Sequence, residues 1–449
     1  MYRILDLLNR YIFGPALPFV IFLIGGILLF RYGSFMFFKL RVIIGVLTRK
    51  NDSSGLSPFK TAVLALASTL GVGNIVGVST AIFSGGPGAV FWLTLSAVAA
   101  MSLKYGEVVL AVKYRIKDSG EYRGGAMYYM RDFLMKPRLS VLFAFLCLIN
   151  SLTVGNIVQV NAVSESFFNV FNISPCMFGV IFSVLIFASI CRGTERISNI
   201  TSKVIPFVTL LYIILSLYVI VINISSVPNV IKLIIDEAFN VKAAVGGVFG
   251  YSMMYAVRYG VARGIMSNEA GSGTSPIAHA KSNLKSPVEQ GFWGIFEVFA
   301  DTVVMCNLTA FVILLSFEEF VVNKGLTGMA LVLEAYGKYA GGVSKYVLAL
   351  SVFLFAYATV ICQAFYGNEC LHFLTKKTFY KKIFIVGFCL TAFYGAIGNS
   401  ALIWQITDFN ISLMTVINTF CILFSAEEIK KMTDRYFKKE KKRVSGIRP

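Results

Sequence analysis

The chain has 449 residues, 57% of them hydrophobic and only 14% charged, with a formal net charge of +18. So apolar a composition excludes an ordinary soluble domain. The apolar residues fall in blocks of about 18–25, enough to cross a hydrocarbon core of about 30 Å. The positive charge does not read as a nucleic-acid surface, because the basic residues cluster in alternate loops.

In chain order, eleven spans are expected, at 12–31, 59–83, 89–113, 140–166, 176–191, 202–222, 245–282 (broken), 291–316, 345–367, 382–399 and 401–424. The first lacks an A-x-A-like cleavage site and a second span follows quickly, so it reads as an anchor rather than a cleaved signal peptide. The loop after it carries Arg31, Lys39, Arg41, Arg49, Lys50 and Lys60. The loop after the third carries Lys113, Arg115, Lys117, Arg123, Arg131, Lys136 and Arg138. Arg192, Arg196 and Lys203 follow the fifth, and Lys376, Lys377, Lys381 and Lys382 the ninth. The tail "KKMTDRYFKKEKKRVSGIR" is again basic, whereas "GGPG", "NVFNISPC" and "GNS" on the opposite side carry no charge. The positive-inside rule then places the N-terminus outside and the C-terminus inside, with Arg3 and Arg10 as minor exceptions. The tail reads as a solvated basic end, with contact to anionic lipid as the alternative. The eight cysteines, Cys147, Cys306 and Cys389 among them, show neither disulfide nor zinc spacing and read as small core residues.

The second span is interrupted by "TLGVGNIVG" at Thr69–Gly77. Glycine weakens a helix interior by about 1 kcal/mol relative to alanine. Lipid cannot satisfy freed backbone groups, so unwinding is tolerated only beside protein or a wet cavity. A broken helix presents bare N–H groups that attract a carboxylate and bare carbonyls that attract a cation. The competing reading is close helix packing through small residues. A second interruption, small and polar from about Gly260 to Gly273, lies in "GGVFGYSMMYAVRYGVARGIMSNEAGSGTSPIAHA". Two interrupted helices, each opening a set of five spans, point to an inverted-repeat transporter with its site at mid-depth. The expected units are 1–58, an extra helix and loop; 59–222, the first repeat; 223–424, the second; and 425–449, the tail.

These stretches, with "MSLKYGEVVLAVKYR", "RGGAMYYM" and "FADTVVMCNLTAFVILLS", resemble the alanine-or-glycine:cation symporters, also called sodium:alanine symporters, over residues 10–425. The resemblance implies an all-α LeuT-like 5+5 inverted repeat with one extra N-terminal helix in the plasma membrane. It also implies uptake of a small neutral amino acid driven by sodium. It carries no signature of oligomeric state, and lipid is the only other partner expected. Substrate is expected at Thr69, Gly71, Gly73 and Asn74 of the first break, at Asn156 and Gln159 of the fourth span, and at Met266 and Gln363. Sodium is expected at the carbonyls around Ala67 and Leu70 with the hydroxyl of Thr359, since hard cations take oxygen ligands. Met266 stands where the family typically has phenylalanine and Gln363 where it has tryptophan. The pocket should therefore be wider and more polar than one built for alanine.

Several polar residues have a plainer reading. Asn156 and Gln159 could simply tie helices together, and Thr359 could bond its own backbone. Lys104 with Glu107, and Glu297 with Asp301, read as a fixed charged network, with Arg258 or Arg263 as its further cation. His279 and His372 read as structural groups near the inner surface. An intramembrane enzyme finds no HExxH or GxSxG motif. A channel would show flux that does not saturate. A proton-coupled carrier of the same fold is the nearer alternative.

Overall fold

The computed structural model describes residues 14–49, 56–118, 120–191, 193–239, 253–398 and 400–444. Within the described residues, a helix lies in each expected span. They are α1 (Gly14–Leu28), α2 (Pro58–Thr69) with α3 (Val76–Gly85), α4 (Ala89–Lys113), α5 (Pro137–Leu152) running on into α6 (Gln159–Phe171), α7 (Pro175–Ile190) and α8 (Thr194–Ile222). After the short α9 (Val227–Ala238) come α10 (Met253–Asn268), α11 (Pro287–Val298) running on into α12 (Asn307–Leu314), α13 (Gly328–Ala340), α14 (Gly342–Leu374), α15 (Thr378–Ile397), α16 (Ser400–Phe424) and α17 (Ala426–Val444). The start of the seventh expected span, 245–252, lies outside the described residues. Among the described residues, seven helices are long and apolar enough to cross a membrane, and the bent pair α2–α3 makes an eighth; 17–33 and α7 are apolar but shorter.

Local sequence explains where many of these helices begin. Ser57, Ser174 and Ser286 each precede a proline, and each side chain accepts the backbone N–H three residues on. The serine satisfies one orphan amide and the proline needs none, so the two together fix a helix start. Asn172 ends α6 in the left-handed conformation that asparagine tolerates better than most residues.

Small residues let α10 lie close against α4. A side chain at Gly260 would fall 2.3 Å from the Ala89 carbonyl, and one at Gly264 would fall 2.6 Å from Ser96 Oγ. Close packing of small residues therefore operates here. The outer helices turn apolar side chains such as Phe207, Leu210, Ile214 and Val221 outward, as lipid requires.

Three segments that read as connections are themselves structured. On α9, Val230, Ile234 and Ala238 recur every fourth residue and are buried, and the Ala238 carbonyl accepts from Trp92 Nε1 at 3.0 Å. The basic tail is not simply solvated. α17 buries Ile429 and Thr433, and Thr433 Oγ1 lies 2.7 Å from the Tyr105 hydroxyl, while Lys430, Lys431, Arg435 and Lys438 stay exposed. The basic loop after α4 forms a hairpin of β1 (Ile116–Asp118) and β2 (Glu121–Arg123).

Candidate functional site

The first break is built by the glycines. α2 stops at Thr69, a short turn covers Val72–Asn74, and α3 leaves at 62° to α2. A continuous helix would give the Gly71 N–H to the Ala67 carbonyl. Here it goes to Thr69 O at 2.8 Å and Asn74 Oδ1 at 3.2 Å. The Ala67 carbonyl is thus released from the ladder beside the end of α2. Val72 N donates to Gln159 Oε1 at 3.0 Å. Thr359 lies against the same break: a side chain at Gly71 would fall 2.7 Å from Gln159 Oε1 and 2.8 Å from Thr359 Oγ1. The Thr359 hydroxyl itself donates to Phe355 O at 3.0 Å.

The second break follows α10. Glu269 has φ of 52°, in the left-handed region, as do Gly271 and Gly273 at 84° and 78°. A non-glycine residue there carries strain, and such residues gather at functional sites. A helical turn, Pro276–His279, resumes after the break. The two breaks meet at Asp301. Its Oδ1 accepts from Asn74 Nδ2 at 2.6 Å, and its Oδ2 accepts from Ser267 at 2.8 Å and Thr302 at 2.9 Å. Asp301 sits in a π-helical stretch, Phe299–Cys306, and a second one, Thr153–Val158, faces the first break from the other side. Such one-turn irregularities recur at functional sites.

Between the breaks lies a narrow cavity lined by Ser68, Thr69, Val72, Gly73, Val76, Gly77, Val154, Val158, Gln159, Arg263, Met266, Ser267 and Glu269. The structure therefore brings Thr69, Gly73, Gln159 and Met266 together on one cavity. Gly71 and Asn74 lie behind it within the break. Asn156 is turned away: its Nδ2 donates to Phe388 O at 2.7 Å and to Thr391 Oγ1 at 3.0 Å, joining the Thr153–Val158 stretch to α15. Gln363 is one layer back. Its chain lies on Gly155, and its Nε2 donates to Glu269 Oε1 at 3.0 Å. Ala67, Leu70 and Thr359 cluster at the end of α2, all buried. Sequence reasoning left Ser68, Arg263, Ser267 and Glu269 out of the site. The signal that could have found Glu269 is a carboxylate inside the polar break of an otherwise apolar segment.

The intramembrane charges form fixed contacts. Lys104, rather than Arg258 or Arg263, is the cation at Glu297, 3.2 Å away, and it also donates to Ser275 Oγ at 2.5 Å. His279 is a fully buried structural group; its ring contacts Glu297 at 2.9 Å and Gln290 at 2.7 Å. Glu107 accepts from Gly273 N at 2.9 Å and from Asn418 at 2.5 Å, bracing the second break.

At the end of the molecule where α2 begins, the β1–β2 hairpin closes over the bundle. Arg115 donates to the carbonyls of Ala280, Ser282 and Leu284 at 2.5–3.1 Å. Arg123 lies 2.8 Å from Glu369 near the end of α14, and Lys281 bridges Glu369 at 3.1 Å and Glu121 at 2.9 Å. His372 and Lys376 add contacts to Asp118 at 3.0 and 3.4 Å. Lys281 draws the Glu121 carboxyl below its usual value through its hydrogen bond and charge. The hairpin, the end of the second break and the end of α14 are thus pinned together.

Two broken helices meeting at one buried cavity, in a bundle faced with lipid-compatible side chains, are the mark of a membrane carrier. MhsT, in its crystal structure with L-phenylalanine, has a similar fold: TM-score 0.54 at 10% identity, covering 85% of this chain and all of that one. The fold is accordingly LeuT-like. The chain belongs to the sodium:alanine symporter family, whose model matches residues 1–447. It is 32% identical over 434 residues to the sodium/alanine symporter AgcS of Methanococcus maripaludis, covering 94% of each chain. It is 33% identical over 397 residues to the probable sodium/glutamine symporter GlnT of Bacillus subtilis, covering 88% of this chain and 81% of that one. It is therefore a multi-pass membrane protein of a cation-coupled amino-acid symporter family, a transporter rather than an enzyme.

Proposed function

We propose that this protein imports a small neutral amino acid together with sodium by alternating access across the plasma membrane. The N-terminus is outside and the C-terminus inside, so the β1–β2 hairpin lies in the cytoplasm. Eleven spans make one extra helix and two inverted repeats of five. The observation that carries this reading is the cavity between the two breaks, with Gly73 and the N-terminus of α3 at one wall. The substrate carboxylate sits there, because helix N-termini attract anions. The amides of Gly71 and Val72 are already satisfied by Asn74 and Gln159, so these two side chains hold the break in shape. Sodium is held where Ala67 and Leu70 end α2, next to the Thr359 hydroxyl.

The substrate is larger or more polar than alanine. Met266 gives the cavity an adaptable wall, and Gln363, one layer behind it, sets an amide against Glu269 where the family typically has an indole. GlnT, a probable sodium/glutamine symporter, is in keeping with a polar substrate in this family. The test is uptake into proteoliposomes under an imposed sodium gradient, with unlabelled amino acids as competitors. Strongest competition by serine, threonine, asparagine or glutamine supports the reading. Preference for alanine over every polar amino acid refutes the substrate, and uptake that follows a pH gradient without sodium refutes the coupling ion. Proton coupling has its own support in Asp301, a buried carboxylate bonded directly to Asn74 of the first break.

A further inference from the structure

We propose that Glu269 is the counter-ion for the ammonium group of the bound amino acid, with Gln363 as its positioning residue. The proposal rests on an amino acid being the substrate, and it adds the group that holds the other end of the zwitterion.

Three independent observations converge on this carboxylate. First, Glu269 lines the cavity and is only 4% exposed. Among the described residues no lysine or arginine lies within ion-pair distance of it; Lys104 is committed to Glu297 and Ser275, and Arg263, on the same cavity, turns its guanidinium to Met266 Sδ at 3.0 Å. A buried carboxylate without a cationic partner is costly, and a cationic ligand offsets that cost. Second, its two oxygens accept one hydrogen bond each, from Thr274 Oγ1 at 2.5 Å and Gln363 Nε2 at 3.0 Å. A carboxylate has about four acceptor positions, so room for further donors remains. Third, Gln363 must turn its N–H₂ toward Glu269, because the reverse orientation would set two oxygens together. Its Oε1 is then left buried with no hydrogen-bond partner. An orphaned buried acceptor beside an uncompensated carboxylate is matched by a group with several N–H donors and a positive charge.

The helix ends point the same way. Glu269 follows the C-terminal end of α10, where unsatisfied carbonyls make the field negative. The carboxylate seat at Gly73 lies before the N-terminus of α3, where the field is positive. The amino acid is thus oriented across the cavity, ammonium toward the second break and carboxylate toward the first.

The test is equilibrium binding to purified protein in detergent with sodium, comparing L-alanine with propionate and L-glutamine with glutaramate, the des-amino form of each. Wild type should bind the amino acids far more tightly than the des-amino forms. Glu269→Gln should weaken amino-acid binding roughly thirtyfold or more, while binding of the des-amino forms stays within about twofold. Gln363→Ala should show the same pattern to a smaller degree. Unchanged amino-acid binding in Glu269→Gln, or an equal loss for both compound types, overturns the proposal; the second result would make Glu269 purely structural. If wild type binds none of alanine, serine, threonine, asparagine and glutamine, the transport reading falls together with this one. If it binds alanine but none of the polar four, only the wide-pocket reading falls.

Discussion

Two glycines two residues apart carry different duties. A methyl group at Gly71 would press on Gln159 and Thr359 at 2.7–2.8 Å, whereas at Gly73 the nearest atom is Ser267 Cα at 3.6 Å. Gly73→Ala is therefore expected to leave membrane abundance unchanged but to intrude on the carboxylate seat. A loss of about 1–2 kcal/mol there is a roughly five- to thirtyfold fall in apparent affinity, read from concentration-dependent uptake. Gly71→Ala must displace side chains on both sides, so abundance itself should drop. Thr359→Val is nearly isosteric and deletes one oxygen. It should raise the sodium concentration for half-maximal uptake several-fold while maximal uptake at high sodium is retained; an unmoved sodium curve would remove Thr359 from the ion site. Met266→Phe with Gln363→Trp restores a ring on the cavity wall and the indole expected behind it. The pair should shift competition profiles toward alanine and glycine, and an unshifted profile would mean that these two side chains do not set substrate size.

Among the elements, the β1–β2 hairpin is a latch. It joins the loop after α4 and the end of the second break to α14 through Arg123, Lys281 and Glu369. Removing one partner of a well-buried ion pair costs about 3–5 kcal/mol. Glu369 is nearly inaccessible, at 3% side-chain exposure, while Arg123 is 15% exposed, so the lower part of that range applies. Glu369→Gln should free the hairpin and, in the proposed orientation, favour the conformation open toward the cytoplasm. Cys370, buried beside Glu369, reports this directly. Its alkylation by a membrane-impermeant reagent on inside-out vesicles, read by peptide mass spectrometry, should accelerate at least about tenfold. An unchanged rate would show that the hairpin does not gate access.

Across the whole molecule, the pattern of charge was legible in sequence and its pairing was not. Periodicity and span length located the helices, because each must satisfy its own backbone in lipid, but their ends were missed by up to eight residues where α8 starts at Thr194 rather than 202. The connections were harder to read. α9 and α17 are amphipathic and gain their helical form by docking on the bundle, a tertiary effect that a hydropathy window does not see. Intramembrane carboxylates announced themselves as expensive. Only the fold decided that Lys104 meets Glu297, that Asp301 joins the two breaks, and that Glu107 braces the second.

The candidate site divides along the same line. The glycines at 71 and 73 were legible because helix weakeners in an apolar span demand a local reason, and Thr69, Gln159 and Met266 fell on the same cavity as Gly73. Asn156 and Gln363 were equally conspicuous as polar residues in apolar helices, yet a sequence does not record which way a helix is rotated. The Thr153–Val158 turn widens its helix there, and Asn156 faces α15 while Gln159 faces the first break. Glu269 was visible as a charge in a polar stretch. Its left-handed backbone, its bond to Gln363 94 residues away and its place on the cavity wall come from packing between the two halves of the chain. Hydropathy and helix weakeners were enough to show that the chain spans a membrane and interrupts two of its helices; which side chains face each other across those breaks was set by packing, because that depends on helix rotation and not on helix position.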